Sequence, residues 1–191
     1  MQIDYKKKDG LDYITISDVF SEEIHQAIQK EAKELYKFRK SKEKTKTASH
    51  KGMLLKEGTG VFLNELYYDS NDSAICTNLK EVVTSSVWEN VNKIHCSFNH
   101  INCFRRASIL LNWYQNGDYY KPHDDNSKLT CIYYTSLGDY SGGELKFVDY
   151  DETIKTKNNS VVIFSGCVKH EVLPVKADIE SFRISINLFM E

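Results

Sequence analysis

From Ser108 onward the chain is a succession of short β-branched and aromatic runs, each closed off by turn residues. The runs are SILLNWY, LTCIYYTSL, ELKFVDY, TIKT, SVVIFSG, KHEVLPV and FRISINLFM, with QNGD, GDYSGG and KNN among the separators. Many short strands at regular spacing bury their side chains as a sandwich, a barrel or a jelly roll. The carboxy-terminal half is therefore expected to be a β scaffold.

The amino-terminal half reads differently. DYITISDVF (residues 12–20) is a strand by composition. Ser21 then offers a helix N-cap, and Glu22 and Glu23 suit the positive end of the helix that follows. Ile24, Ile28, Ala32, Leu35 and Tyr36 recur at helical spacing. A second amphipathic helix is predicted from about Leu79 to Ile94, with Leu79, Val82, Val83, Val87, Val91 and Ile94 on one side. Both helices are expected to cover a sheet. Between them RKSKEKTKTASHKG (residues 39–52) has many positive charges and few large apolar residues, so it reads as a mobile, solvated loop or as a lid that contacts substrate. The fold class expected is mainly β with flanking N-terminal helices. At 191 residues one domain over 1–191 suffices, with 1–107 supplying a strand and helices and 108–190 the β core.

Charge and cysteine content exclude some partners. A net charge of −2 provides no global attraction to nucleic acid or to an anionic membrane. MQIDYKKKDG lacks the apolar stretch of a signal peptide, and no window approaches the length of a membrane span, so a cytoplasmic protein with no membrane partner is expected. Five cysteines without a CxxC pair suggest reduced thiols rather than a disulfide framework.

YYKPHDDNSK (residues 119–128) carries the chemistry. In an extended segment alternate side chains share a face, so His123 and Asp125 point together while Asp124 points away. Of the other histidines, His25 falls in a predicted helix, His50 in the charged loop, and His95 and His100 beside the end of the second helix. Only His170 opens a strand of the same β region, where antiparallel pairing can bring it to His123. Two histidines and one carboxylate on one side of a metal leave the opposite positions open, as in non-haem iron(II) oxygenases.

The last strand adds a second element. In FRISINLFM, Ile184, Ile186 and Leu188 share one face and Arg183, Ser185 and Asn187 the other. If both faces are covered, Arg183 is costly to bury without an anionic partner. A carboxylate ligand would supply one through bidentate bonds, with Ser185 able to add a third.

Together these residues resemble a known family. Tyr114, Gly117, Tyr120, His123 and Asp125 fit YxxGxxYxxHxD, followed by TCIYY, SGGEL, HEV and RIS. The pattern, from Ser108 to Met190, is similar to the core of the 2-oxoglutarate- and iron(II)-dependent dioxygenases, in particular their prolyl 4-hydroxylase-like branch. The resemblance implies a double-stranded β-helix, or jelly roll, with His123, Asp125 and His170 as iron ligands. It implies that Arg183 binds the distal carboxylate of 2-oxoglutarate with help from Tyr134, and that Tyr114 and Ser185 line the same pocket. Iron(II), 2-oxoglutarate and dioxygen follow as cofactor and cosubstrates, and ascorbate is admitted as a reductant. His170 and Arg183 stand further apart than is usual in the family, and a longer hairpin in VKADIES would restore the register. Gly142 and Gly143 are expected to shape a turn before ELKF, without a chemical role. Trp113, Tyr119, Tyr120 and Tyr133 are candidates for the pocket wall.

The resemblance favours hydroxylation of a prolyl residue in a peptide or protein. A free amino acid or other small metabolite is the competing substrate, and a non-catalytic metal-binding jelly roll the competing class. No clear nucleic-acid binding is expected, and the oligomeric state is not readable from the sequence.

Overall fold

A computed structural model of the chain describes residues 1–84, 98 and 107–191. A hairpin of β1 (Gln2–Lys8) and β2 (Leu11–Ser17) precedes helix α1 (Glu22–Leu35). Three short strands, β3 (Ser49–His50), β4 (Met53–Leu54) and β5 (Thr59–Phe62), lead to α2 (Ala74–Thr84). The β core then comprises β6 (Ala107–Tyr114), β7 (Tyr120–His123), β8 (Leu129–Leu137), β9 (Tyr140–Gly142), β10 (Leu145–Phe147), β11 (Glu152–Ile154), β12 (Ser160–Ser165), β13 (His170–Val172), β14 (Val175–Ala177) and β15 (Phe182–Met190).

Two sheets make the jelly roll. The major sheet has the order β1-β2-β12-β8-β15-β6-β5, and the minor sheet β11-β10-β13-β7. β15 sits between β8 and β6, so its backbone groups pair along both sides and its two faces are the remaining places for side chains. Ile184, Ile186 and Leu188 join Ile28, Ala32, Leu35 and Leu79 in a core beneath the helices. On the opposite face of the major sheet, Ile132, Tyr134 and Phe164 pack with Leu145 and Phe147 of β10. Strand alternation in β8 makes the same division, Cys131 and Tyr133 facing the helices and Ile132 and Tyr134 facing inward. Both faces of β15 are thus covered, the condition under which Arg183 becomes expensive.

The helices are positioned by their caps. Ser21 accepts the Ile24 N–H at the start of α1. α2 begins earlier than the apolar periodicity predicts, because Ser73 accepts the Cys76 N–H and Glu31 of α1 accepts the Ile75 N–H. Leu79 and Val82 are buried as expected, whereas Val87, Val91 and Ile94, with His95 and His100, lie outside the described residues.

The charged segment 39–52 departs from the expected loop. It contains a single 3-10 turn at Lys42–Lys44 and the β3–β4 hairpin. Lys42 pairs with Glu57 and Lys40 with Glu65, Thr45 is buried, and the Ala48 N–H donates to the Tyr120 hydroxyl at 2.9 Å. Ion pairs and backbone bonds replace the apolar contacts that its composition lacks. VKADIES also contains more than a loop, since its first three residues are β14, paired with β9.

Candidate active site

The metal candidates converge at the β7 end of the minor sheet. His123 ends β7, His170 begins β13, and the two are direct cross-strand partners. The His123 Nδ1–H donates to the Lys121 carbonyl at 2.9 Å, and the His170 Nδ1–H to the Val168 carbonyl at 2.9 Å. A carbonyl only accepts, so each Nδ1 carries the proton and each Nε2 presents its lone pair. Those Nε2 atoms lie 3.8 Å and 3.6 Å from the Asp125 oxygens, too far for hydrogen bonds, and the three donor atoms fall within 4.8 Å of one another.

Asp125 reaches this place by a different route from the one that alternation suggests. β7 ends at His123, so Asp124 and Asp125 are not strand residues. Instead the Asp125 N–H donates to the Gly166 carbonyl at 2.9 Å, and its Oδ2 accepts from Thr130 Oγ1 at 2.6 Å. Asp124 is exposed. Burial and the neighbouring His170 push His123 down to about 3, so it is neutral at ordinary pH and able to donate to a metal. Burial raises Asp125, an effect that a bound cation would reverse.

Behind this cluster lies a second, unfinished site. Arg183 is 0% exposed, and none of its three guanidinium nitrogens has a hydrogen-bond partner among the described residues. The group is flanked by rings, its Cζ lying 5.1 Å from the Tyr114 centroid and 5.0 Å from that of Tyr134. The Tyr134 hydroxyl is also buried and unpartnered. Gly143 closes the cradle: its φ is +68°, and a Cβ there would meet Arg183 Cδ at 2.5 Å. That glycine therefore does more than shape a turn. A buried cation with all its donors unmet beside an unmet hydroxyl fits an incoming carboxylate. Ser185, on the same strand, accepts from Asn112 Nδ2 at 3.4 Å through its Oγ.

In front of the metal cluster opens a cleft of about 570 Å³, lined among others by Lys56, Asn112, Tyr114, Tyr120, His123 and Asp125. Tyr120 stacks on His123 with centroids 3.5 Å apart. Two expected wall residues are elsewhere: Trp113 and Tyr133 belong to the helix-side core, Tyr133 bonded through its hydroxyl to His25 Nδ1 at 2.6 Å. Tyr119, only half-buried, is not among the lining residues. Lys56, Asn112 and Thr130 were not foreseen. The turn-like surroundings of Lys56 hide its burial, whereas Thr130 stands in the TCIYY motif itself.

Comparison with known proteins agrees with this fold and site. Residues 109–191 match the model of the 2OG-Fe(II) oxygenase superfamily. That segment, which holds the metal candidates and Arg183, resembles the 2-oxoglutarate/iron(II) oxygenases, in particular their prolyl 4-hydroxylase-like branch. The matched family and the His/Asp/His cluster support iron(II) as cofactor, with 2-oxoglutarate and dioxygen as cosubstrates. Similar solved structures include a Pseudomonas putida prolyl-4-hydroxylase, with TM-score 0.61, 14% identity and coverage of 94% of this chain and 92% of that one. The viral collagen prolyl hydroxylase of Paramecium bursaria Chlorella virus-1, in its 2OG complex, gives TM-score 0.60, 15% identity and coverage of 93% and 94%. A Trichoplax adhaerens prolyl hydroxylase, in complex with a hypoxia inducible factor oxygen degradation domain peptide fragment, gives 0.64, 14%, 93% and 83%. At these identities the likeness shows a shared fold. No curated protein matches the sequence. Among the described residues no helix is long and apolar enough to cross a membrane.

Proposed function

We propose that the enzyme hydroxylates an unactivated C–H bond, with His123, Asp125 and His170 holding iron(II) and Arg183 binding the distal carboxylate of 2-oxoglutarate, and that the acceptor is a prolyl residue of a peptide or protein. The observation that carries the metal assignment is the pair of Nε2 lone pairs, oriented by backbone carbonyls, that meet one carboxylate. Bound iron with its keto acid supplies the power to activate oxygen and functionalise carbon, chemistry that belongs to the cofactor. The chain supplies position and dryness. Lys121 and Val168 hold the imidazoles, and Thr130 holds Asp125. Arg183 anchors the far end of the keto acid, Tyr134 donates its hydroxyl to the same carboxylate, and the flanking rings keep water from that pair. Tyr120, stacked on His123, forms a rigid wall beside which the reacting carbon is held.

The prolyl part of this reading is supported by the branch resemblance and by three solved neighbours that are prolyl hydroxylases. A cleft bordered by Thr45 to Ala48 gives an extended chain a surface to lie on. The test is anaerobic loading with iron(II) and 2-oxoglutarate, then exposure to oxygen with proline-containing peptides and free amino acids, reading succinate and a mass gain of one oxygen. Hydroxylation of free amino acids alone would remove the peptide assignment, and no succinate with any acceptor would remove the catalytic one.

A further inference from the structure

Lys56 has no part in the chemistry above, yet it is buried inside the cleft. It lies between β4 and β5, 2% exposed, and is held against β7 by backbone bonds on either side, Lys121 N–H to the Leu55 carbonyl at 2.8 Å and Glu57 N–H to the Tyr119 carbonyl at 2.9 Å. Its Nζ donates to Asn112 Oδ1 and stands 5.5 Å and 6.0 Å from the ring centroids of Tyr114 and Tyr120. An ammonium has three protons to donate. Asn112 takes one; the Asp118 carboxylate attracts the amine from beyond ion-pair distance, and among the described residues none lies within it. The two rings offer cation–π attraction only.

We propose that Lys56, held in place by Asn112, forms a subsite for a carboxylate group of the substrate, beside the metal ligands, a proposal that rests on the oxygenase reading above. A desolvated ammonium needs a compensating negative charge, which a neutral carbonyl does not bring. A phosphate would need more donors than one lysine. The distal carboxylate of the cosubstrate does not require this amine, because the enclosed Arg183 group waits for it and is not part of the cleft lining. The cosubstrate's other carboxylate is engaged by the metal that it chelates, and the N-oxalylglycine affinity of Lys56 variants tests the alternative. Arg183 and Lys56 are thus separate cations, one enclosed for the distal carboxylate and one open to the cleft. Burial brings the Lys56 amine down to about 7, so it can stand neutral in the empty cleft and take up a proton with the arriving anion. The carboxylate has two available sources, the main-chain carboxyl of a free amino acid or an acidic side chain near the target residue of a peptide.

The experiment uses the full chain loaded with manganese(II) and the unreactive 2-oxoglutarate analogue N-oxalylglycine, titrated calorimetrically at pH 6.5 with paired probes. L-Proline against L-prolinamide tests the free amino acid, and acetyl-Gly-Pro-Glu-amide against acetyl-Gly-Pro-Gln-amide tests the peptide. In the unmodified protein the acid of one pair binds about tenfold or more tighter than its amide, the size of a charged hydrogen bond in a buried site. Lys56→Met and Lys56→Gln abolish that preference while manganese and N-oxalylglycine bind as before, and Lys56→Met melts at a higher temperature because an uncompensated buried charge is gone. A merely structural lysine would instead melt lower on substitution. Absence of acid preference in both pairs, persistence of the preference in the variants, or loss of N-oxalylglycine affinity in them overturns the proposal. The probe comparison is repeated without manganese, so failure of the metal to load strikes the iron assignment and leaves the subsite to be judged separately.

Discussion

The metal cluster and the Arg183 cradle sit in one jelly roll but are finished to different degrees. In the cluster the orienting positions are filled by the chain itself: both Nδ1–H groups meet carbonyls and Asp125 is gripped by Thr130 and Gly166. In the cradle, among the described residues, no donor of Arg183 is met by a hydrogen bond, nor is the Tyr134 hydroxyl. A site whose orientation is supplied by its own backbone is ready before the ligand arrives. A site that holds a bare buried cation is destabilised until a carboxylate enters, by several kcal/mol on general grounds. The cofactor and the cosubstrate should therefore leave different marks on stability and affinity.

The largest effect expected is loss of the metal. His123→Ala, Asp125→Ala and His170→Ala each abolish iron loading and turnover, whereas Asp124→Ala keeps most of both; metal titration on the purified variants decides, and equal losses at Asp124 and Asp125 would erase the distinction between them. Next, Arg183→Leu should weaken 2-oxoglutarate binding by roughly a hundredfold, about 3 kcal/mol, while iron still loads. The ligand-free Arg183→Leu protein should also melt no lower than the unmodified one, because among the described residues the cation has only the Tyr114 and Tyr134 rings and no hydrogen-bonded partner to lose. A clear drop in melting temperature would mean that the cradle is not bare. Thr130→Val removes an orienting bond from a metal-binding carboxylate and should cost about tenfold in metal affinity, with 2-oxoglutarate affinity followed on the same preparation to keep the two sites apart. The smallest change is Tyr134→Phe, about 1 kcal/mol or several-fold in the 2-oxoglutarate requirement, read from saturation curves.

A pH dependence separates the third cation from both sites. The Lys56 amine is at about 7 folded against 10.5 in the unfolded chain, so between these values the unfolded state holds more protons and stability contributed here rises with pH. The penalty for burying it is fully present below about pH 7 and fades toward pH 10.5. The melting advantage of Lys56→Met should follow that window, greatest at pH 6 to 7 and shrinking at pH 9 to 10. An advantage independent of pH would mean a packing effect instead.

Much of the β core was legible because strand alternation and turn residues are local. FRISINLFM told its two faces apart, and SVVIFSG and LTCIYYTSL fall within a residue of β12 and β8. The β1–β2 hairpin was missed although Asp9–Gly10, with φ of +49° and +91°, is a strong two-residue turn signal between QIDYKKK and LDYITIS. Three lysines in a row concealed an edge strand, which is where such charges belong. Asp125 was assigned to the cluster by an alternation that stops at His123, and the bonds that hold it come from Thr130 and Gly166. Lys56 and Asn112 had no local signature at all. Their pairing depends on β4, β5 and β6 meeting in space, and a lysine beside Glu57 and Gly58 reads as a surface turn until the fold is known.

The pairing of His123 with His170 has a consequence for the opening of the sheet. β7 is the last strand of the minor sheet, joined to β13 through only two residue pairs, His170 with His123 and Val172 with Tyr120, with an irregular register between them. On its other side β7 bonds to the 55–57 segment rather than to a further strand of the sheet, so its amides should exchange with solvent by local opening of this edge rather than by global unfolding. An ion gripped by both imidazoles would fasten that edge to its neighbour and close a long stretch of chain into a loop, as a crosslink does. Amide exchange along Tyr120–His123 should therefore slow on metal addition far more than exchange in β8 or β15, making the edge of the minor sheet a reporter of occupancy that needs no turnover.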